Sequence, residues 1–133
     1  MPWSMEFTDE GRILKALIQG PISGADVAEM TRESVGLVAA RQLTRVVLDC
    51  SAAQMDVPIL DVYKLPDLYS ARGVPRQIRA AVIMPREGYR RDIYEFYEDV
   101  CRNRGYFVKL FEQEAEAWSW VREDLAQAMP PSS

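Results

Sequence analysis

The chain has 133 residues, 48% hydrophobic and 27% charged, with a net charge of −4 and no histidine. That is the composition of one globular domain large enough to bury a core. It excludes imidazole acid, base or ligand chemistry and argues against general nucleic-acid binding. No apolar run approaches the roughly 20 residues of a membrane span. The opening Met1-Pro2-Trp3-Ser4-Met5-Glu6 lacks the basic-then-apolar pattern of a secretory signal, so the cytoplasm is the expected compartment.

Residues 3–8 and 12–19 read as two strands around a tight turn at Asp9-Glu10-Gly11. The second is mostly apolar, as suits a strand covered on both faces, and Gly20-Pro21 is expected to stop it. Ser23 stands as an N-cap before Gly24-Ala25-Asp26, where an early acid suits the helix dipole. Val27, Met30, Val35, Val38 and Ala39 then recur at helical spacing to about Gln42. Residues 44–50, rich in Val and Leu, form the third strand. The stretch from Asp56 to Gly73 is expected to be helical in two pieces, because Pro66 removes a hydrogen bond from a continuous helix. Ile59, Val62 and Tyr63 share one face of the first piece, and Leu65, Leu68 and Tyr69 extend that stripe into the second.

Residues 79–85 read as a fourth strand, and Tyr89, Ile93, Phe96, Tyr97 and Val100 mark a helix closed by Gly105. A fifth strand at 106–111 precedes a final helix over 113–128, with Trp118, Val121 and Leu125 on one face. Helical phasing at about 100° per residue turns Trp120 away from them. The expected fold is an α/β domain over residues 1–129, a five-stranded mixed sheet with an antiparallel first strand and four principal helices, followed by a disordered tail at 130–133. Cys50 and Cys101 are the two cysteines; without a CxxC pair or histidine they read as small buried residues.

Taken in order, these pieces resemble the SpoIIAA-like family within the STAS-type domains. The resemblance is carried by the hairpin, by Gly20-Pro21-Ile22-Ser23-Gly24-Ala25-Asp26, by Val46-Val47-Leu48-Asp49-Cys50-Ser51 and by Ile78-Arg79-Ala80-Ala81-Val82-Ile83. The stretch Phe111 to Val121 is similar to the family's ending of Phe, acidic residues and Ala-x-x-Trp-Leu. Together they span roughly residues 5–126. The resemblance implies a module that binds without catalysis, as anti-anti-sigma factors do. Those relatives are switched by phosphorylation of a Ser opening the second helix in an Asp-Ser-x-Gly setting. The matching stretch here is Asp56-Val57-Pro58-Ile59: Val57 has no hydroxyl, so the switch does not carry over. Ser51, read in the same loop, offers a hydroxyl, with a capping or turn role as the plainer reading. The SpoIIAA-like branch also resembles SEC14-type lipid carriers. That implies an alternative, a carrier of a small apolar or amphipathic ligand, peripheral to the membrane, with a pocket under a movable C-terminal helix.

The residues add their own candidates. Asp49, Ser51 and Asp56 are expected at the carboxyl end of the third strand, the favoured ligand edge of open α/β sheets. Two carboxylates there are the start of a hard-cation site, but no third converges from neighbouring strands, so no metal or cofactor is assigned. No GxSxG elbow, Ser-x-x-Lys pair, GxGxxG or Walker pattern is present, so no catalytic residue is assigned. Residues 72–91 carry six arginines against Glu87, a net of +5, and residues 105–133 a net of −3. A basic surface with Arg86 and Arg90 beside an acidic helix would suit an acidic protein partner, an anionic ligand, lipid head groups or a second copy of the chain. Ordinary surface ion pairs are the plainer reading. Trp118 completes the core face of the last helix. Trp120, on its outer flank, is a candidate anchor unless the hairpin, through Trp3, covers it.

Overall fold

A computed structural model of the chain describes residues 2–86 and 90–125. Its five strands form one sheet in the order β1-β2-β3-β4-β5. Strand β1 (Trp3–Thr8) runs antiparallel to β2 (Ile13–Ser23), whereas β3 (Arg45–Asp56), β4 (Arg79–Ile83) and β5 (Phe107–Phe111) continue in parallel. Between them lie α1 (Gly24–Arg41), α2 (Ile59–Tyr63), α3 (Leu65–Ala71), α4 (Arg91–Asn103) and α5 (Glu114–Arg122). The expected mixed sheet and antiparallel first strand are therefore observed. Helices α2 and α3 are the two expected pieces, parted at Lys64 with Pro66 in the first turn of the second. The tail at 130–133 and Tyr89 lie outside the described residues.

Alternation of side chains along the strands builds two cores. Leu14, Ala16, Ile18, Val46, Ala80 and Val82 pack against α1 to α4 on one face. Ile13, Val47, Ala81, Ile83 and Phe111 face the other way and are covered by Ala117, Val121 and Leu125 of the α5 region. Helix α1 starts where its sequence says it should. The Ser23 hydroxyl accepts from the Asp26 amide at 3.2 Å, and the Ser23 amide donates to the Asp26 carboxylate at 3.0 Å.

Two strands are longer than expected. Strand β2 does not stop at Gly20-Pro21, and β3 runs six residues past Cys50, so that Gly20 to Ser23 pair with Ala53 to Asp56. The pairing of β1 ends at Ile18, leaving the outer edge of β2 without a strand beyond that point, so Pro21 forfeits no ladder bond. A register shift between Leu17 and Gln19 and the positive φ of Gly20 let the ribbon bend as it leaves the sheet. The result is a two-stranded parallel ribbon that carries the chain to the start of both α1 and α2.

Candidate functional site

The ribbon's end positions α2. Pro58 precedes that helix at φ −62°, and no side chain caps it. Five residues cannot turn every apolar side chain inward, and α2 carries four. Val62 is buried, while Ile59, Leu60 and Tyr63 are 48%, 69% and 51% exposed. The expected stripe of Ile59, Val62 and Tyr63 is thus corrected: only Val62 reaches the core. Among the described residues the other exposed large apolar side chain is Phe107, on β5. The helix is held against the start of α1 by close approach. A Cβ on Gly24 would lie 2.0 Å from the Asp61 carboxylate, so glycine is what admits Asp61 to the positive end of α1.

Beneath α2 is a cavity of about 60 Å³ walled by β2, β3, β4, α1 and α4, with Val57 and Val62 contributed from the α2 turn and Leu65 from the start of α3. Cys50, Tyr94 and Tyr97 also line it. Tyr94 is 3% exposed, and its hydroxyl makes no hydrogen bond of ordinary geometry among the described residues. Burial pushes its pKa above the usual tyrosine range, so it stays a neutral group. Burial likewise drives the Cys50 thiol up to about 12, which keeps it protonated and unreactive at neutral pH.

The residues picked from the sequence do not assemble there. Asp49 and Ser51 lie within β3, not in a loop at its end. Asp49 is buried and accepts from the Ser51 amide at 3.1 Å and its hydroxyl at 2.7 Å. Asp56 is exposed at the strand's far end, seven residues on, which is about 23 Å of extended chain. The pair cannot grip one cation. Nor does any cluster of three metal-binding side chains occur among the described residues. All three crossovers, with their four helices, lie on one face, so the strand order never reverses and there is no switch-point crevice.

The arginine-rich segment is not one surface. Arg72, Arg76 and Arg79 sit at or before the amino end of β4, and Arg86, Arg90 and Arg91 after its carboxyl end. Arg86 is exposed, Arg90 pairs with Asp92 at 3.2 Å, and Arg91 pairs with Glu112 at 2.7 Å. Basic and acidic segments therefore meet within the molecule. Trp118 is half-buried beneath the Arg122 guanidinium, 4.8 Å from its ring, and packs against the core expected of it from the edge rather than within it. Trp120 is also half-buried. Phe111 lies 5.6 Å away, with Arg79 and Lys109 over the indole, so this side chain is no free outer anchor. Trp3 does not cover it: Trp3 is buried in the opposite core and donates to Glu33 at 3.1 Å.

Helix α5 is tied down at its carboxyl end. Arg45, 3% exposed, donates to the carbonyl of Val121 at 2.8 Å and of Glu123 at 3.2 Å. Arg79 donates to the carbonyl of Trp120 at 3.2 Å. Two cations thus satisfy the last carbonyls and oppose the negative end of the helix dipole. The expected pocket under a movable terminal helix is corrected on both counts: α5 is clamped, and the cavity lies across the sheet from it.

With this geometry in view, solved structures give the fold a context. An anti-sigma factor antagonist from Mycobacterium paratuberculosis is 18% identical, with 90% of this chain covering 92% of that one at a TM-score of 0.62. An uncharacterised DUF3478 protein with a SpoIIAA-like fold from Shewanella loihica is 16% identical, covering 90% and 91% at 0.57. The unphosphorylated form of the anti-sigma factor antagonist SpoIIAA is 15% identical, covering 90% and 97% at 0.55. The chain has the SpoIIAA-like fold. No protein-family model matches it, and no curated protein matches its sequence.

Proposed function

We propose that this chain is a non-enzymatic regulatory module of the cytoplasm that works by docking a partner protein on α2. The observation that carries this reading is the placement of Ile59, Leu60 and Tyr63. Three of the four exposed large apolar side chains among the described residues stand on one five-residue helix at the carboxyl edge of the sheet. Clustered apolar exposure of this kind marks a contact surface. The likeness to anti-sigma factor antagonists supports a protein as the occupant. SpoIIAA is known in a phosphorylated and an unphosphorylated form. Here the turn before α2 offers Val57, 1% exposed, and Pro58, so a phosphate at that turn cannot be the control.

The test is affinity capture from matched extracts with tagged wild type, Leu60→Asp and Phe107→Ala. Leu60 is 69% exposed, so Leu60→Asp should change stability by no more than about 0.5 kcal/mol. A partner retained by wild type and Phe107→Ala but lost with Leu60→Asp supports the reading. A partner retained equally by all three removes α2 from the interface. Native mass spectrometry separates a second copy of this chain from a different protein as the occupant.

A further inference from the structure

The cavity beneath α2 is distinct from the exposed patch above it. Its lining includes Ile18, Val27, Leu48, Val62 and Val82, and no charged side chain. Burying an ion there would go uncompensated, so the chemistry of the walls selects a neutral occupant. Among the described residues that line it, the polar group served worst is the Tyr94 hydroxyl. It is sealed from solvent, makes no hydrogen bond of ordinary geometry, and has only the Cys50 thiol, a weak donor and acceptor, to pair with. Native structures seldom leave a buried hydroxyl so poorly paired without a reason. Size narrows the class further, since a cavity of about 150 Å³ holds benzene and this one has about 60 Å³. The roof is the least firmly held part of the wall: a five-residue helix without a side-chain cap, entered at Pro58 and broken at Lys64.

We infer that this cavity is a binding site for a small neutral amphipath, a compact body of one or two carbon atoms bearing one hydrogen-bonding oxygen. The carbon body replaces the void against Val27, Val62 and Val82. The oxygen accepts from or donates to Tyr94 as α2 shifts to admit it. This differs from a lipid carried under the last helix in place, in size and in the residue that recognises the ligand.

The experiment titrates the methyl-labelled full chain with ethanol, and separately with xenon as a purely apolar probe. Saturable shifts are expected at the methyls of Val27, Val62, Val82 and Ile93, with Ile13, Val121 and Leu125 across the sheet unmoved. Tyr94→Phe keeps the ring and removes the oxygen. It should weaken ethanol about fivefold and leave xenon unchanged. Val62→Phe fills the cavity from its roof and should abolish both. Shifts that never saturate, or that spread equally to both faces, overturn the inference. So does a Tyr94→Phe protein that binds ethanol as wild type does, because the cavity is then only a packing void. Should Tyr94→Phe lose its melting transition, Val62→Phe decides: continued saturation at the same methyls places the probe elsewhere and ends the proposal. Leu60→Asp leaves these methyls free to respond, so failure of the docking reading and failure of this one are separable.

Discussion

Helices α5 and α2 are both short and both lie at the margin of one sheet, yet they are held in opposite ways. Helix α5 packs Ala117 and Val121 at 0% exposure and ends on two arginines that take up its last carbonyls. Helix α2 buries one side chain, has no side-chain cap, sits over a cavity and exposes three apolar residues. Stability is concentrated on the α5 face, and surface that a partner can use is concentrated on the α2 face. Elements that bind are drawn from the less stable end of a fold. The contrast therefore predicts which face responds to which perturbation.

The largest expected effect is alkaline unfolding that starts on the face covered by α1 to α4. Cys50 and Cys101 are both raised to about 12 by burial, and burial also raises Tyr69, Tyr94 and Tyr97. None of these groups belongs to the α5 core. A thiol whose pKa rises on folding holds its proton more tightly in the folded state. Its stabilisation is complete below the unfolded value near 9 and is lost as pH climbs toward 12. Stability measured by urea at stepped pH should fall across that window, with both cysteines alkylated only as it falls. A flat profile from pH 9 to 12 would show that these groups are hydrated in solution.

Next in size is Arg45→Met, which removes the buried half of the clamp on α5. It leaves the carbonyl of Val121 without its charged donor, while Arg79 still reaches those of Trp120 and Glu123, and should cost about 2–3 kcal/mol. Hydrogen exchange should rise in α5 and not in α2. Equal acceleration in both helices would mean the two faces unfold as one unit and the contrast has no energetic content.

How much of this was legible in the sequence follows from the same contrast. The alternating strands, the Ser23 cap and the broken helix at Pro66 are local signals, and the structure shows them as expected. The site depended on facts a single strand does not carry. Asp49 and Ser51 looked like loop residues because β3 continues only by pairing with an extension of β2 that Gly20-Pro21 seemed to forbid. In α5, Trp118 drew the core assignment by its size. The stripe is instead Ala117, Val121 and Leu125, spaced by four, with a tryptophan on each flank. Leu60 was readable in principle: a five-residue helix with Ile59, Leu60, Val62 and Tyr63 has too many apolar side chains for one buried face. The Tyr94 cavity was not readable, since seven separate elements form its wall.

A smaller effect tests how α2 is positioned. Gly24→Ala places a methyl against Asp61 at a separation no real Cβ tolerates, so the carboxylate must move. Replacing glycine by alanine where the backbone suits alanine gains about 0.4–1 kcal/mol when nothing opposes it, through the unfolded chain's lost freedom. That gain should appear in the Asp61→Ala background and be diminished or absent when Asp61 is present. Amide shifts in α2 should accompany the single substitution. The same gain in both backgrounds would show that Asp61 swings clear freely and does not locate α2.

The smallest expected effect lies where the α5 face meets the hairpin. The Arg122 guanidinium donates to both oxygens of Asp9, at 2.8 and 3.1 Å, joining the end of α5 to the β1–β2 turn. That hydrogen bond is the main reason the Asp9 pKa is held below its usual value. Because the folded value is depressed, the pair's stabilisation is present at neutral pH and is lost as pH falls through it. Arg122 remains half-exposed, so water and salt screen the pair and its worth is about 0.2–1 kcal/mol. Asp9→Asn isolates the charge, because the turn holds residue 9 at φ 52° and asparagine accepts that left-handed geometry as readily as aspartate. Urea melts should show a loss within that range at pH 7 in low salt, shrinking in about 1 M NaCl as screening shortens its reach. At about pH 2 the two proteins should converge. A difference that persisted there undiminished would belong to the turn's backbone, and the hairpin would have to be regarded as bound to α5 by packing alone.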